Sequence, residues 1–532
     1  MKKLDGSNII ACKESKKGKS VFNSINPKTL EKSKISFTDS TKDEIVSAAV
    51  EAKKAFEKVK KFETEKIALF LEKTSDEILN LGDQLIDIAD WETSLGFARL
   101  NNERARTCNQ LKMFANYIRE GSYVNAIIDN SESDRKTNPK PDIRRMLIPI
   151  GPVAVFSASN FPFAFGVCGG DTASAWAAGC PVIVKGHPSH PQTSELFARA
   201  ILDAIEKCGF PPGWFSLIQG KNRKVSEELI LHPEIEAVGF TGSRDVGRSI
   251  FNLASSRRKP IPLFAEMGSI NPVFITKGAL AKRLENLAIE LSNSITLGAG
   301  QFCTKPGILI VPDHPNTNKL IEKVSDNLSK KQIDILLNEN VKKNLEKCVR
   351  KTLKIADVTL KTGGKSVKDQ ISFNPTVIVV KSDEFIEESD LQKEHFGPVG
   401  IFVICQDTLS FTKIAEKIEG QLTATINLEK DEYCEIIPLI STLKEKAGRI
   451  IINGVPTGVE VCNAMQHGGP YPATTSVHTT SVGMEAIKRF LRPVAFQNFP
   501  DVLLPIELKN ENSKKIMRIV NGSYSRKTIQ SS

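Results

Sequence analysis

Cysteine pairs at the spacings of metal or disulfide chemistry are missing from this 532-residue chain. Its ten cysteines, at 12, 108, 168, 180, 208, 303, 348, 405, 434 and 462, form no CxxC and no CxH. That excludes a zinc ribbon, a zinc finger and a disulfide scaffold, and leaves reduced thiols in a cytoplasm as the expectation. No apolar run approaches the roughly 18–20 residues of a membrane span. The apolar stretch near the N-terminus stops short of the roughly 7–15 residues of a signal-peptide core, so neither export nor a membrane partner is expected. Aromatic residues are only 7% of the chain, and no RNP, zinc-finger or helix-turn-helix signature accompanies its basic surplus, which argues against a nucleic-acid partner. No repeat of roughly 20–50 residues is visible. The dinucleotide fingerprint GxGxxG is missing as well.

What is present is an ordinary globular composition, 40% hydrophobic and 25% charged, enough for about three structural units at roughly 100–200 residues each. The 72 basic against 62 acidic residues leave +10, a surface suited to attracting an anionic small molecule. The first 120 residues read as helical. Thr41 and Glu44 form a capping box ahead of apolar residues at Ile45, Ala49, Ala52, Phe56 and Val59, and two further helices stop near Gly82 and Gly96. Residues 125–145 mix charge and proline without a core pattern and read as an arm or linker. From Gly151 short apolar runs (PVAVFSAS, PVIVK, FSLI, IEAVGF, PLFAE) alternate with helical segments, the signature of βαβ units and a parallel sheet. A second α/β stretch runs from Asn271 to about Ile452. Residues 453–500, rich in Gly, Pro and Thr, read as an irregular segment packed over a site, and a basic tail follows.

Several residues could carry chemistry. FTGSRDVG, with Gly242 and Ser243, falls where a strand hands over to a helix, a place where backbone N–H groups can meet phosphate; alone it is equally a plain Gly-bearing turn. Lys185 ends the strand PVIVK, and Arg223 follows the next strand. Each alone reads as a surface cation, but together they suit a phosphorylated ribose. The residues after Lys185 (GHPSHP) offer no acid for a ribose 2′-hydroxyl, which tilts the choice toward NADP over NAD. Cys303 lies among small residues in LGAGQFCTKPG, open to a substrate, although most cysteines are buried hydrophobes. Glu266 ends an apolar strand, where burial is expected to raise its pKa toward general-base range, with a structural ion pair as the alternative. Asn160 follows PVAVFSAS and could aim its amide at an oxyanion, or simply cap a turn.

Six segments, SNFP, VIVK, FTGS, AEMGSINP, GQFCTKPG and EHFGPV, occur in the order and spacing of the aldehyde dehydrogenase superfamily. The resemblance covers about residues 20–500. PDIRRMLIPIGPVAVFSASNFPFAF, KGHPSHPQTSEL, PTGVEVCNAMQHGGPYPATTSVHTTSVG, RFLRPVAFQNFPDVLLP and IMRIVNGSYS resemble the subgroup of 2-oxoglutarate semialdehyde (2,5-dioxopentanoate) dehydrogenases. The resemblance implies an α/β fold with a Rossmann-type cofactor domain (1–124 and 146–264), an α/β catalytic domain (265–470), a small β oligomerisation arm with its C-terminal partner (125–145 and 471–500) and a basic tail (501–532). It implies Cys303 as nucleophile, Glu266 as general base and Asn160 as oxyanion donor. Lys185 and Arg223 would hold the adenosine ribose and its 2′-phosphate, Gly242 and Ser243 the pyrophosphate, and Glu394 and Phe396 the nicotinamide ribose and ring. Pro188 stands where NAD-preferring relatives carry a ribose-binding glutamate, so NADP is expected with NAD possible. The tryptophan of a PWN motif is also missing from SASN, so pocket shape is not transferred. Arg106, on a helix near the substrate mouth in relatives, is the expected partner of a substrate carboxylate. The expected substrate is a small aldehyde, and the expected assembly a homodimer or homotetramer. A long-chain aldehyde dehydrogenase, a cofactor-free thiol esterase and a non-catalytic scaffold remain as alternatives.

Overall fold

The computed structural model of the chain describes residues 2–407 and 409–530. Two short strands, β1 (Asn8–Ile10) and β2 (Lys13–Ser15), and a ribbon of β3 (Val21–Phe22) with β4 (Phe37–Thr38) lead into four helices, α1 (Lys42–Val59), α2 (Thr64–Asn80), α3 (Asp83–Thr93) and α4 (Phe97–Glu120). The predicted capping box opens α1: the Thr41 hydroxyl accepts from Glu44 N at 3.3 Å, and the Glu44 carboxylate accepts from Thr41 N at 2.8 Å. Strands β5 (Ile127–Asp129) and β6 (Ile143–Pro149) follow. The βαβ run is then β7 (Val153–Phe156), α5 (Gly170–Ala177), β8 (Val182–Lys185), α6 (Pro191–Cys208), β9 (Phe215–Ile218), α7 (Arg223–Leu231), β10 (Ala237–Thr241), α8 (Arg244–Ser255) and β11 (Leu263–Glu266).

These strands form a seven-stranded sheet in the order β11-β10-β7-β8-β9-β1-β2, with β7 to β11 parallel and β1 antiparallel to β9. From β7 the chain steps outward through β8 and β9, then returns to the other side of β7 as β10. The reversal opens a crevice at the carboxyl ends of β7 and β10, the place where α/β sheets bind ligands. One face is covered by α2 to α6, whose Phe70 packs edge-on against Trp176 at 5.1 Å and Trp214 at 6.0 Å. The other face is covered by α1, α7 and α8. Truncating a fully buried ring such as Trp176 would cost about 3–5 kcal/mol.

A second seven-stranded sheet begins with β12 (Val273–Ile275), followed by α9 (Lys277–Thr296) and β13 (Ile308–Pro312). Strands β14 (Thr359–Thr362), β15 (Thr376–Lys381), β16 (Val399–Cys405), β17 (Gln421–Asn427) and β18 (Ala447–Ile452) complete it in the order β14-β15-β16-β13-β12-β17-β18, with only β14 antiparallel to its neighbour. Residues 453–490 are mainly loop, as the sequence suggests. They are fastened over the end of β11 by Met267 N to Ala473 O (2.8 Å) and Thr475 N to Ala265 O (3.1 Å).

The arm and the tail form one unit. β19 (Leu491–Gln497) pairs antiparallel with β6 along its length, and β20 (Arg518–Val520) with β21 (Ser523–Ser525) joins the far side of β5, giving a third sheet, β19-β6-β5-β20-β21. The sequence shows no core pattern in residues 125–145, yet Val124, Ala126, Ile128 and Met146 share a small core with Leu504, Leu508 and Ile516. Its other half comes from the tail, nearly 400 residues away, so a local window cannot reveal it. Ser531 and Ser532, the end of the predicted basic tail, lie outside the described residues.

Candidate active site

After α9 a tight turn, Leu297–Gly300, carries three successive left-handed residues, Gly298, Ala299 and Gly300. A Cβ on Gly300 would stand 2.3 Å from the Gly397 backbone, so the turn needs glycine there. It delivers Cys303, half-buried, to the end of β11. The Asn271 amide fixes the loop by donating to Cys303 O at 2.8 Å and Lys305 O at 3.0 Å. Three side chains converge: Cys303 Sγ is 3.5 Å from His467 Nε2, and His467 Nε2 is 2.9 Å from Glu266 Oε1. The Ser481 hydroxyl donates to Glu266 Oε2 at 2.6 Å. Asn160 is buried beside them and donates one amide hydrogen to Gln301 O at 3.0 Å. Its amide carries a second hydrogen.

The electrostatics correct one expectation. Burial does push the Glu266 carboxyl upward, but the charge and hydrogen bond of His467, with hydrogen bonds from Ser481 and Cys303, outweigh it and leave the pKa below the usual carboxylate value. Sequence reasoning counted the burial and missed the partners, which arrive 201 and 215 residues later. The Cys303 thiol moves the other way: burial first, then the negative Glu266, raise it well above the ordinary value. The nearest groups to the sulfur that could take its proton are His467 and Glu266.

The loop after β7 supplies an apolar wall, and helix α4 packs arginines against it. Phe161, Phe165 and Phe302 meet edge-on, Phe161 to Phe165 at 5.7 Å and to Phe302 at 5.2 Å, and Val459, Val461 and Met465 extend the same apolar cluster. The Arg106 guanidinium stands 5.8 Å from the Phe161 ring and 5.6 Å from the Phe165 ring, with its buried Nε unpartnered. Arg99 lies over Phe161 and Phe302 and donates to Asn160 O at 2.5 Å. Buried Glu103 accepts from Phe163 N (2.8 Å) and Ala164 N (2.9 Å). Arg99 and Glu103 thus clamp the loop that carries Asn160.

Lys185, Arg223, Gly242 and Ser243 lie apart from this cluster at the carboxyl edge of the first sheet, while Glu394 and Phe396 sit on the loop before β16, with Glu394 near enough to raise the Cys303 thiol. Lys185 is half-buried, and burial lowers its pKa to about 8 against the opposing pull of Asp39. Asp39 was not foreseen: it comes from the turn after β4 and accepts from Lys221 N at 2.6 Å, so an acid does approach this edge from far along the chain. Arg223 is exposed, 2.7 Å from Glu227 and 2.8 Å from Ser249 Oγ. Gly242 and Ser243 are exposed at the N-terminus of α8, where Ser243 makes no side-chain cap. Glu394 and Phe396 are half-buried. Burial raises the Glu394 pKa, and Lys305 opposes it.

The description "Aldehyde dehydrogenase family" matches residues 13–493 of the sequence. This chain belongs to the aldehyde dehydrogenase family. It is 44% identical over 455 residues to "Alpha-ketoglutaric semialdehyde dehydrogenase 2" of Azospirillum brasilense, covering 86% of this chain and 87% of that one. It is 41% identical over 487 residues to "Alpha-ketoglutaric semialdehyde dehydrogenase" of Acinetobacter baylyi, covering 91% and 92%. Among solved structures, "Crystal structure of E. coli NADP dependent enzyme" superposes with a TM-score of 0.78 at 20% identity, covering 93% of this chain and 98% of that one. The chain has the aldehyde dehydrogenase fold, and the α/β class expected from sequence holds.

In this aldehyde dehydrogenase the structure brings together Cys303, Glu266 and Asn160 and places Arg106 at the wall beside them. His467 and Ser481 went unremarked in the sequence, although His467 lies inside the quoted AMQHGG segment. A histidine in a Gly-rich run with no strand or helix around it was the available signal, since such a residue is seldom needed for packing.

Proposed function

We propose that this aldehyde dehydrogenase oxidises 2,5-dioxopentanoate (2-oxoglutarate semialdehyde) to 2-oxoglutarate through a thioester on Cys303, with NADP as the preferred oxidant. The observation that carries the chemistry is the contact of Cys303 Sγ with His467 Nε2, itself 2.9 Å from Glu266. The names of the two relatives at 44% and 41% identity support the substrate.

The residues present fit a phosphorylated dinucleotide. Thr241 Oγ1 is buried without a partner at the crevice, Ser243 leaves the first N–H groups of α8 without a side-chain cap, and Lys185 stands at the carboxyl end of β8. Lys185 and Arg223 would hold the ribose and its 2′-phosphate, Gly242 and Ser243 the pyrophosphate, and Glu394 with Phe396 the nicotinamide ribose and ring. When bound, the nicotinamide supplies the two-electron acceptor for the hydride of the aldehyde carbon.

The protein's own groups do the rest. Cys303 passes its proton to the His467–Glu266 pair as sulfur bonds to the aldehyde carbon. The Asn160 amide and the Cys303 backbone N–H stabilise the resulting alkoxide. Once the adduct is a thioester and the pair has released the thiol proton to solvent, Glu266 with His467 takes a proton from water as the water oxygen bonds to the acyl carbon; the carbon–sulfur bond then breaks, the sulfur takes that proton back, and a carboxylate leaves. The product carries one more negative charge than the substrate, and Arg106 would hold the carboxylate the substrate already has.

The wall of Phe161, Phe165 and Phe302 favours a second reading, a general or long-chain aldehyde dehydrogenase. Absorbance of reduced nicotinamide with NADP and NAD, using 2,5-dioxopentanoate and decanal, decides between them. The expected outcome is kcat/KM about 10²-fold or more higher for the acidic aldehyde; a preference for decanal refutes the substrate assignment. Residues 1–124 with 146–264 are proposed as the cofactor domain and 265–470 as the catalytic domain. The arm (125–145 and 471–500), now joined by residues 501–530, is proposed to build a homodimer or homotetramer. The ten free thiols support a cytoplasmic setting.

A further inference from the structure

The loop that carries Glu394 and Phe396 has no regular structure to fix it. Residues 393–398 lie between a 3₁₀ turn (Ser389–Gln392) and β16 and belong to no helix or strand, so side chains must set their shape. Burial alternates along them: Glu394 and Phe396 are half-buried, and His395 between them is buried. Alternation of this kind is that of an extended segment, in which neighbours point to opposite sides. His395 therefore anchors the loop from the side that Glu394 and Phe396 leave.

The histidine is bonded at both nitrogens. Nδ1 lies 3.0 Å from Lys393 O, and Nε2 lies 2.8 Å from Thr352 Oγ1. A carbonyl can only accept, so Nδ1 carries the proton and Nε2 accepts from the threonine hydroxyl. Burial, and then the positive Lys305, push the imidazole pKa down to about 4, so the neutral ring keeps this arrangement at neutral pH. Thr352 is buried at the end of the helix Glu339–Thr352, and an apolar side chain at 395 would leave its hydroxyl unpartnered there. The same helix reaches the loop again at Leu345, with which a Cβ on Gly397 would collide. Other contacts join the loop to the nucleophile's surroundings. Buried Lys305 donates to Val399 O at 2.7 Å, Gly300 packs on the Gly397 backbone, and Glu394 lies against Gly268, two residues after Glu266.

We propose that His395 is a positioning residue for hydride transfer: its hydrogen bond with Thr352 pins the loop of Glu394 and Phe396 to the helix behind it, and so sets where the nicotinamide half of the cofactor lies relative to Cys303. The inference rests on the roles proposed above for Glu394 and Phe396, and not on which aldehyde is preferred. The loop is held between two supports, the helix through His395 and the nucleophile's segment through Lys305 and Gly300. Releasing the first support leaves the reacting sulfur in place and loosens only what faces it. A misplacement of about 1 Å between reacting groups can cost about 10²-fold in rate.

The test compares His395→Leu, Thr352→Val and Thr352→Ser with the unaltered enzyme, and uses Glu394→Gln as a reference. Direct titration with NADP and with adenosine 2′,5′-bisphosphate, which lacks the nicotinamide half, separates the two ends of the cofactor. In His395→Leu the Kd for NADP is expected to rise about tenfold while that for the bisphosphate changes less than about twofold. The single-turnover rate of NADPH formation is expected to fall about 10–10²-fold. Hydrogen exchange of the peptide spanning residues 393–399, measured without cofactor, should quicken. Thr352→Val should shift all three readouts in the same direction, and it decides alone if His395→Leu does not fold. Thr352→Ser, which keeps the hydroxyl, should match the unaltered enzyme. Equal weakening of NADP and the bisphosphate would mean that His395 serves the fold at large, and would overturn the proposal. So would unchanged NADP affinity and hydride-transfer rate in folded His395→Leu. If Glu394→Gln changes neither quantity while His395→Leu changes both, the role given to Glu394 fails and the pin at His395 stands. If Glu394→Gln changes both and His395→Leu neither, the pin fails and the role of Glu394 stands.

Discussion

The pocket around Cys303 and the carboxyl edge of the first sheet are built on opposite principles. At Cys303, the groups sit among partners that set their charge: His467 and Ser481 favour the ionised form of Glu266, and burial, with Glu266 beside it, raises the thiol. At the sheet edge, Arg223, Gly242 and Ser243 are exposed, and only Lys185 is tuned by burial. Chemistry needs fixed, dry partners whose strength does not leak into solvent. Reversible binding of a charged, diffusing molecule needs open donors that water can satisfy between visits. The two regions should therefore respond very differently to mutation.

The largest separation is expected at the sulfur. Cys303→Ala should abolish aldehyde oxidation, by at least about 10⁴-fold in kcat, with cofactor affinity in a direct titration unchanged. Next, Asn160→Ala should lower kcat about 10²–10³-fold, since an oxyanion donor is lost; a loss confined to KM would remove Asn160 from that role. His467→Gln should cost about 10²-fold and also move the profile. Without the imidazole's charge and hydrogen bond, the pull against burial at Glu266 weakens, its pKa rises, and the acid limb of kcat/KM shifts to higher pH. An unshifted limb would separate His467 from Glu266 in function.

At the sheet edge the effects should be smaller and confined to the cofactor. Arg223→Ala should raise KM for NADP about 10–100-fold and leave NAD nearly untouched. Smallest is a pH effect on Lys185. Its pKa lies at about 8 instead of the ordinary lysine value, so the ammonium is present below that pH and lost above it. NADP affinity should therefore weaken several-fold as pH rises through about 8, and Lys185→Met should flatten that dependence.

Local elements were legible because their causes are local. The Thr41–Glu44 capping box, the strand runs from Val153 to Glu266 and the small-residue turn before Cys303 are all written within a few residues of where they act. What stayed hidden depends on distant pairing. Ile128 looks like part of a linker until Leu508 and Ile516 cover it. Glu266 looks like a desolvated base until His467 and Ser481 reach it, and the edge near Lys185 looks free of acid until the ribbon brings Asp39. The candidate nucleophile was readable from its flanking glycines, but its charge state depends on burial and on Glu266, whose own charge is set by His467 and Ser481, 201 and 215 residues further along.

Mass spectrometry of a trapped intermediate tests the central claim most directly. Glu266→Gln, mixed with 2,5-dioxopentanoate and NADP and quenched in acid, should accumulate an acyl group on the peptide containing Cys303, with one equivalent of reduced cofactor formed per site. An acyl group on any other of the ten cysteines, or reduced cofactor accumulating with no covalent adduct, would contradict it.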